Sequence, residues 1–217
     1  MVKVLNLYAC LGGNRYKWDD VADIEVTAVE LDEDLAKLYK ERFPNDKVVV
    51  TDAHEYLLNN FKDFDFIWSS PPCPTHSSIR VSQKNRNSFI HKYPDLKLYE
   101  EIIFLDNFFK GKWIVENVIP YYTPLIPGSK RGRHLYWSNF KIPHDLGYRA
   151  KDWGIGCTSD EVKKLCEFHE FDFYRYNGKQ RRDKIARNLV DFEVGKSIFK
   201  AALGIKDKTP VVQQQLF

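Results

Sequence analysis

Apolar and polar positions along the chain switch period in a regular order. Residues 2–8 form a short apolar run that stops at Gly12-Gly13, and residues 24–31 are β-branched and alternating, so both read as strands. Leu35, Leu38, Tyr39 and Arg42 recur at a three–four spacing, which predicts an amphipathic helix over 32–43 ended by Pro44. Val48-Val49-Val50 reads as a third strand, 54–61 as a helix, and 64–69 as a strand closed by Pro71-Pro72. A helix over 96–109, capped by Gly111, and a strand over 113–118 follow. Strands separated by helical lengths predict an α/β fold, a Rossmann-like, doubly wound, mainly parallel sheet with its functional loops at the strands' carboxyl ends. From 141 to 180 the rhythm breaks into aromatics, glycines and charges, which reads as an inserted module, and helices resume near 181–189 and 194–203.

Composition narrows the class. With 217 residues, 43% hydrophobic, 29% charged, and five Trp, twelve Tyr and fifteen Phe, the chain has material for one sizeable core and is neither disordered nor a coiled coil. No apolar run approaches the roughly 20 residues of a membrane span, and no charged leader precedes an apolar stretch, so no membrane partner and a cytoplasmic location are expected. Leu7-Tyr8-Ala9-Cys10 has the look of a lipoprotein cleavage box but stands too near the first residue to be one. Four cysteines (Cys10, Cys73, Cys157, Cys166) do not make a disulfide framework, and Cys157, Cys166 and His169 lack an obvious fourth zinc ligand, so no metal is expected. The net charge of +3 conceals a segregation: 19–34 carries eight acids and no Lys or Arg, 80–92 carries Arg80, Lys84, Arg86 and Lys92 with no acid, and 179–187 carries five bases against Asp183. Such segments suit a polyanion partner, and equally the solvated faces of helices.

The unusual residues sit at successive predicted strand ends. The first strand runs into Tyr8-Ala9-Cys10-Leu11-Gly12-Gly13, whose glycines let backbone approach a ligand; the second ends at Glu30-Leu31, an acid placed for ribose hydroxyls; the third ends at Asp52-Ala53, an acid placed for an exocyclic amine. Each alone reads more simply as a turn glycine or a capping acid, and it is their order at successive strand ends that favours a ligand. The fourth strand ends in Ser70-Pro71-Pro72-Cys73-Pro74-Thr75-His76-Ser77. Prolines there fix the backbone, and a thiol in a polar loop before a basic segment is expected as a thiolate nucleophile. The fifth ends in Glu116-Asn117-Val118, and Arg131 and Arg133, two residues apart, are expected on one face of a further strand. Glu116 toward N3 and N4 and Arg133 toward O2 would pin a pyrimidine.

Taken in order, these elements resemble the DNA cytosine-5 methyltransferase family, as a small, phage-like member with a reduced recognition region. Tyr8-Ala9-Cys10-Leu11-Gly12-Gly13 is similar to the family's Phe-Ala-Gly-x-Gly-Gly cofactor loop. Pro72-Cys73 is similar to its catalytic Pro-Cys, Glu116-Asn117-Val118 to its Glu-Asn-Val, Arg131-x-Arg133 to its Arg-x-Arg, and Gly195-Lys196-Ser197 to its Gly-Asn-Ser. The resemblance implies a class I S-adenosyl-L-methionine-dependent fold. Residues 1–140 and 181–217 would be the catalytic and cofactor-binding domain and 141–180 the target-recognition insertion. It implies C5 methylation of a flipped cytosine in DNA through a Cys73 adduct, with Glu116, Arg131 and Arg133 at the base. Cofactor contacts would come from Tyr8, Ala9, Cys10, Leu11, Gly12, Gly13, Glu30, Leu31, Asp52, Ala53, Pro72, Lys196 and Ser197. Phosphate contacts would come from Ser77, Arg80, Lys84, Arg86, Lys92, Arg181 and Arg182. A monomer is expected, in a restriction, phage-protection or regulatory setting.

The departures are Pro74 for the usual Gln, Cys10 for a Gly, Ser129 for the Gln before the arginines, and Lys196 for Asn. A Lys196 ammonium facing the cofactor's sulfonium would repel it, unless it turns to solvent or the cofactor carries a carboxylate. That opens a carboxymethyl-transfer alternative using carboxy-S-adenosyl-L-methionine. An amino-group DNA methyltransferase is the further alternative, but its Ser-Pro-Pro-aromatic loop requires an aromatic ring where Cys73 stands. A catalytically inactive DNA-binding protein would have no use for both the nucleophile and the acid.

Overall fold

A computed structural model of the chain describes residues 1–82, 90–146 and 159–205. Its elements are β1 (Val2–Leu7), β2 (Ile24–Glu30), α1 (Glu33–Arg42), β3 (Lys47–Val50), α2 (Ala53–Asn60), β4 (Phe66–Ser69), α3 (Ser78–Ser82), α4 (Lys97–Phe108) and β5 (Lys112–Val118). They continue with β6 (Ser129–Arg131), β7 (His134–Ser138), α5 (Ser159–His169), α6 (Arg182–Asn188) and α7 (Phe192–Ala202). The strands form one seven-stranded sheet in the order β3-β2-β1-β4-β5-β7-β6. β1 to β5 run parallel, and β7 pairs antiparallel with both β5 and β6.

The strands read as continuous apolar runs because both faces of the sheet are covered. Leu5, Leu7, Ile67, Trp113 and Val115 face one way, onto Leu57 of α2 and Leu98, Ile102 and Leu105 of α4. Val4, Val26, Phe66, Trp68 and Ile114 face the other, onto Trp18 and Val194, Ile198 and Phe199 of α7. This alternation of covering helices is the doubly wound α/β arrangement, and it brings the carboxyl ends of β1, β2, β3, β4 and β5 to one rim.

Two elements differ from expectation. The Arg131–Arg133 segment is a hairpin and not one strand: Gly132, at φ +54°, turns the chain between β6 and β7. A single strand face therefore does not present both arginines, and Arg131 opposes His134 across the turn. Within 141–180 a regular helix, α5, carries Val162 and Leu165 into an apolar cluster with Leu11, Leu35, Leu38, Ile185 and Leu189. That stretch thus shares its packing with the loop after β1 and with α1 and α6.

Candidate active site

The loop after β1 is held in a costly conformation. Tyr8 and Cys10, neither a glycine, take positive φ (55° and 48°), and Gly12 follows at 67°. Each such non-glycine residue costs on the order of 1–3 kcal/mol unless its surroundings impose it. Here the Cys10 N–H donates to Glu30 Oε2 (2.8 Å), the Gly12 N–H to Ala9 O (2.8 Å), and the Tyr8 hydroxyl to Glu101 Oε1 (2.5 Å). Gly12 and Gly13 serve close packing. A Cβ on Gly12 would lie 2.4 Å from the Phe43 ring, and one on Gly13 would lie 2.3 Å from Val190 O. Ala9 and Leu11 are buried, so Leu11 brings only backbone to the rim. Asn14 continues the loop, its side-chain amide donating to Asn6 Oδ1 (2.8 Å).

Around this loop lie the acids of β2 and β3. Glu30 also accepts from the Asp32 N–H (2.9 Å), and burial raises the pKa of its carboxyl. Two backbone donors leave lone pairs on Glu30 for a diol. Leu31 beside it is 68% exposed, an apolar side chain open to a planar ring. Asp52 caps α2 by accepting the Glu55 N–H (3.0 Å), which lowers its pKa, and its second oxygen lies 3.8 Å from Lys97 Nζ. Ala53 is buried behind it. Acceptors flanking an exposed apolar residue, with backbone loops beside them, fit the nucleoside of S-adenosylmethionine.

Cys73 is half-buried at the end of β4, after buried Pro71 and between exposed Pro72 and Pro74. Asn117 Nδ2 donates to Pro71 O (2.9 Å), tying the Pro-Cys loop to β5. The thiol is not depressed toward thiolate, contrary to the sequence reading. Burial raises its pKa and the Glu116 charge raises it further, against a local backbone hydrogen bond and the charge of Lys184 on α6. The local bases are spent elsewhere. Arg80 donates to Ile90 O, and Arg181 and Arg187 pair with Asp183. Lys184 is exposed.

Glu116 is buried in β5, and His134 Nε2 on the neighbouring strand lies 3.4 Å from its Oε1. Sequence reasoning passed over His134; the signal was the antiparallel register, which places β7 residues of this parity beside Glu116 and could be read only once the hairpin was known. Arg133 is exposed in the turn, whereas Arg131 donates to Pro143 O (2.7 Å), Ile142 O (3.2 Å) and Lys130 O (2.9 Å) and so anchors a loop. Ser77, half-buried, bridges to Pro120, and Lys92 is exposed. Arg182 donates to Tyr176 O and Asn177 Oδ1. Lys84, Arg86 and Cys157 lie outside the described residues. Among the described residues no three His, Cys, Asp or Glu group as a metal site, and no helix is long and apolar enough to cross a membrane.

The last helix returns to the rim. Gly195 packs directly on the Asn14 backbone, and Trp18 Nε1 donates to Gly195 O (3.1 Å). Lys196 turns away, its ammonium 2.7 Å from Asp20 Oδ2 at the surface, and Ser197 is half-buried. Asp20 thus gives the Lys196 ammonium an anionic partner.

Among solved structures, the chain is similar to a Spodoptera frugiperda DNMT2 mutant (24% identity, TM-score 0.39, 54% of this chain and 36% of that one). It is also similar to the putative methyltransferase yhhF of Escherichia coli (16%, TM-score 0.41, 63% and 74%). A third is a putative prophage-encoded DNA modification methyltransferase of E. coli (20%, TM-score 0.37, 57% and 34%). The chain thus spans about a third of the DNMT2 structure's length. A search of the curated proteins gave no match. The family model described as C-5 cytosine-specific DNA methylase matches residues 2–119, from β1 through the Pro-Cys loop to the end of the Glu116 strand, which is more than half of the chain. The chain belongs to the C-5 cytosine-specific DNA methylase family.

Proposed function

We propose that the protein transfers a methyl group from S-adenosylmethionine to C5 of a cytosine extruded from DNA, with Cys73 as the nucleophile that activates the ring. The observation that carries this reading is the convergence of Cys73 and Glu116 at one end of the sheet, beside the strained loop after β1 and the acids of β2 and β3. C5 is a poor nucleophile until the aromatic ring is broken. The Cys73 sulfur bonds to C6 while N3 takes a proton, which places electron density on C5. Because the Cys73 thiol is held protonated, its proton must leave as the S–C6 bond forms. Glu116, whose charge acts on that thiol, can accept this proton and deliver one to N3, so the step is neutral overall.

The nucleoside would lie against Leu31, with Glu30 at its hydroxyls and Asp52 toward its amine. Bound there, the cofactor supplies an electrophilic methyl group. Once C5 carries the methyl group, loss of the C5 proton, return of the N3 proton and departure of Cys73 restore the ring. Extrusion of the base costs a few kcal/mol, which phosphate contacts must offset. Arg133, Lys92 and Lys184, all exposed near the rim loops or on α6, are suited to that work.

The Asp20–Lys196 pair favours a plain methyl donor over a carboxylated one, since the Lys196 ammonium already has an anionic partner. The test is mass analysis of nucleosides from DNA incubated with the protein and either cofactor. We expect 5-methylcytosine with S-adenosylmethionine. 5-Carboxymethylcytosine from carboxy-S-adenosylmethionine would overturn the methyl reading, and N4-methylcytosine or N6-methyladenine would overturn the C5 reading.

A further inference from the structure

Glu101 stands in the apolar stripe of α4, among Leu98, Ile102 and Leu105, and is 0% exposed. A carboxylate there costs several kcal/mol unless fully hydrogen-bonded, and a hydrophobic residue of similar volume would often serve packing as well or better. Its partners come from three separate rim elements. The Tyr8 hydroxyl donates to Oε1 (2.5 Å), His54 Nδ1 lies 3.1 Å from the same oxygen, and the Ser69 hydroxyl donates to Oε2 (2.5 Å). A carboxylate can only accept, so His54 carries its proton on Nδ1 toward Glu101.

Each donor is next to a working part of the site. Tyr8 opens the strained cofactor loop, His54 lies in the first turn of α2 behind Asp52, and Ser69 is the last residue of β4, four positions before Cys73. β1 and β4 are neighbours, with Leu7 opposite Ser69. Glu101 therefore spans the line where the half of the rim that would hold the cofactor meets the half that holds the nucleophile.

We infer that Glu101 is a positioning residue that couples the cofactor loop to the Pro-Cys loop, so that ordering either one stiffens the other. The inference deepens the proposed methyl transfer and rests on it for its meaning, but the link itself belongs to the fold. Coupling of this kind is reciprocal: a loss at the Tyr8 end must be felt at Cys73, and the reverse.

The experiment is amide hydrogen exchange on the ligand-free full chain, comparing wild type with Glu101→Gln, Tyr8→Phe and Ser69→Ala. The amides read are those of Cys10, Gly12 and Gly13 on one side and of Cys73, Thr75 and His76 on the other. Loss of hydrogen bonds to a buried charge is worth at least about tenfold in local opening. We expect Glu101→Gln to speed exchange about tenfold at both loops, and Tyr8→Phe to speed it at Cys73, Thr75 and His76 as well as at its own loop. Exchange that rises only at the loop carrying the mutated donor, or that is unchanged at either loop in Glu101→Gln, overturns the coupling. If Glu101→Gln does not fold, Tyr8→Phe and Ser69→Ala decide alone by the same cross-loop criterion. Binding of S-adenosylmethionine and covalent capture of 5-fluorocytosine DNA are measured on the same proteins. Coupling seen by exchange in a protein that does neither would leave the link standing and count against the methyl-transfer reading.

Discussion

Gly195→Ala separates this structure from the expectation for an ordinary helix. At an open position inside α7, replacing Gly by Ala should stabilise by roughly 0.5–1 kcal/mol through helix propensity. In this structure the added Cβ would lie 2.1 Å from Asn14 O and 2.7 Å from Asn14 C and Cα, where real Cβ atoms essentially never come closer than 3.0 Å. All three atoms are backbone, so no side chain can rotate away. Either α7 or the loop must move by about 1 Å, and overpacking of that kind costs about 1–3 kcal/mol. The movement also pulls on the Trp18 to Gly195 O bond and on the buried Asn6–Asn14 pair, each worth about 1 kcal/mol. The net expectation is a loss of about 1–3 kcal/mol after the propensity gain. In thermal unfolding that lowers Tm by roughly 2–4 °C per kcal/mol for a chain of this size. The displacement is passed to the loop following Gly12-Gly13, so S-adenosylmethionine binding by calorimetry should weaken in step. A variant that melts at or above the wild-type temperature refutes the docking of α7 on Asn14.

Further outcomes follow from the charged groups. Arg15 and Asp46 are both buried and joined by two hydrogen bonds, so Arg15→Met should cost about 3–5 kcal/mol by leaving the Asp46 carboxylate with the Tyr39 hydroxyl but no cation, and a loss under about 1 kcal/mol in urea unfolding would contradict it. The Glu101 hydrogen bond raises the pKa of His54 above its ordinary 6.5. Its charge therefore stabilises the fold fully below the unfolded value and progressively less as pH rises through the folded one. The Tm gap between wild type and His54→Gln should shrink as pH rises above about 6.5, and a widening gap would reverse the sign. Lys196→Gln should change stability by less than about 1 kcal/mol and leave S-adenosylmethionine affinity unaltered, since it removes only a partly exposed pair with Asp20. A large affinity change would return Lys196 to the cofactor.

The sheet was legible because its strands are covered on both faces and stand apart from helices with a clear three–four period. Cys73 and Glu116 were legible for the same reason, as chemistry-bearing residues at strand ends. What escaped was set by the third dimension. Gly132 could be read as an interruption of a strand or as the turn of a hairpin, and only pairing with β5 decides between them. α5 was hidden among aromatics although Val162 and Leu165 mark its buried face. The thiolate expectation failed because sequence neighbours do not say where cations point. Burial raises the thiol's pKa and the Glu116 charge raises it further, while Arg80, Arg181 and Arg187 reach other partners. Glu101 was invisible because an acid in a helix is ordinarily solvated, and nothing local announces that Tyr8, His54 and Ser69 converge on it.

The most direct measurement is intact-mass analysis of the protein after incubation with S-adenosylmethionine and a duplex in which cytosines are replaced by 5-fluorocytosine, which blocks the final elimination. One strand of methylated DNA should be attached per protein, with peptide mapping to Cys73 and complete loss of the adduct in Cys73→Ser. No adduct with wild type on any duplex tried, or an adduct that survives in Cys73→Ser, would contradict Cys73 as the nucleophile.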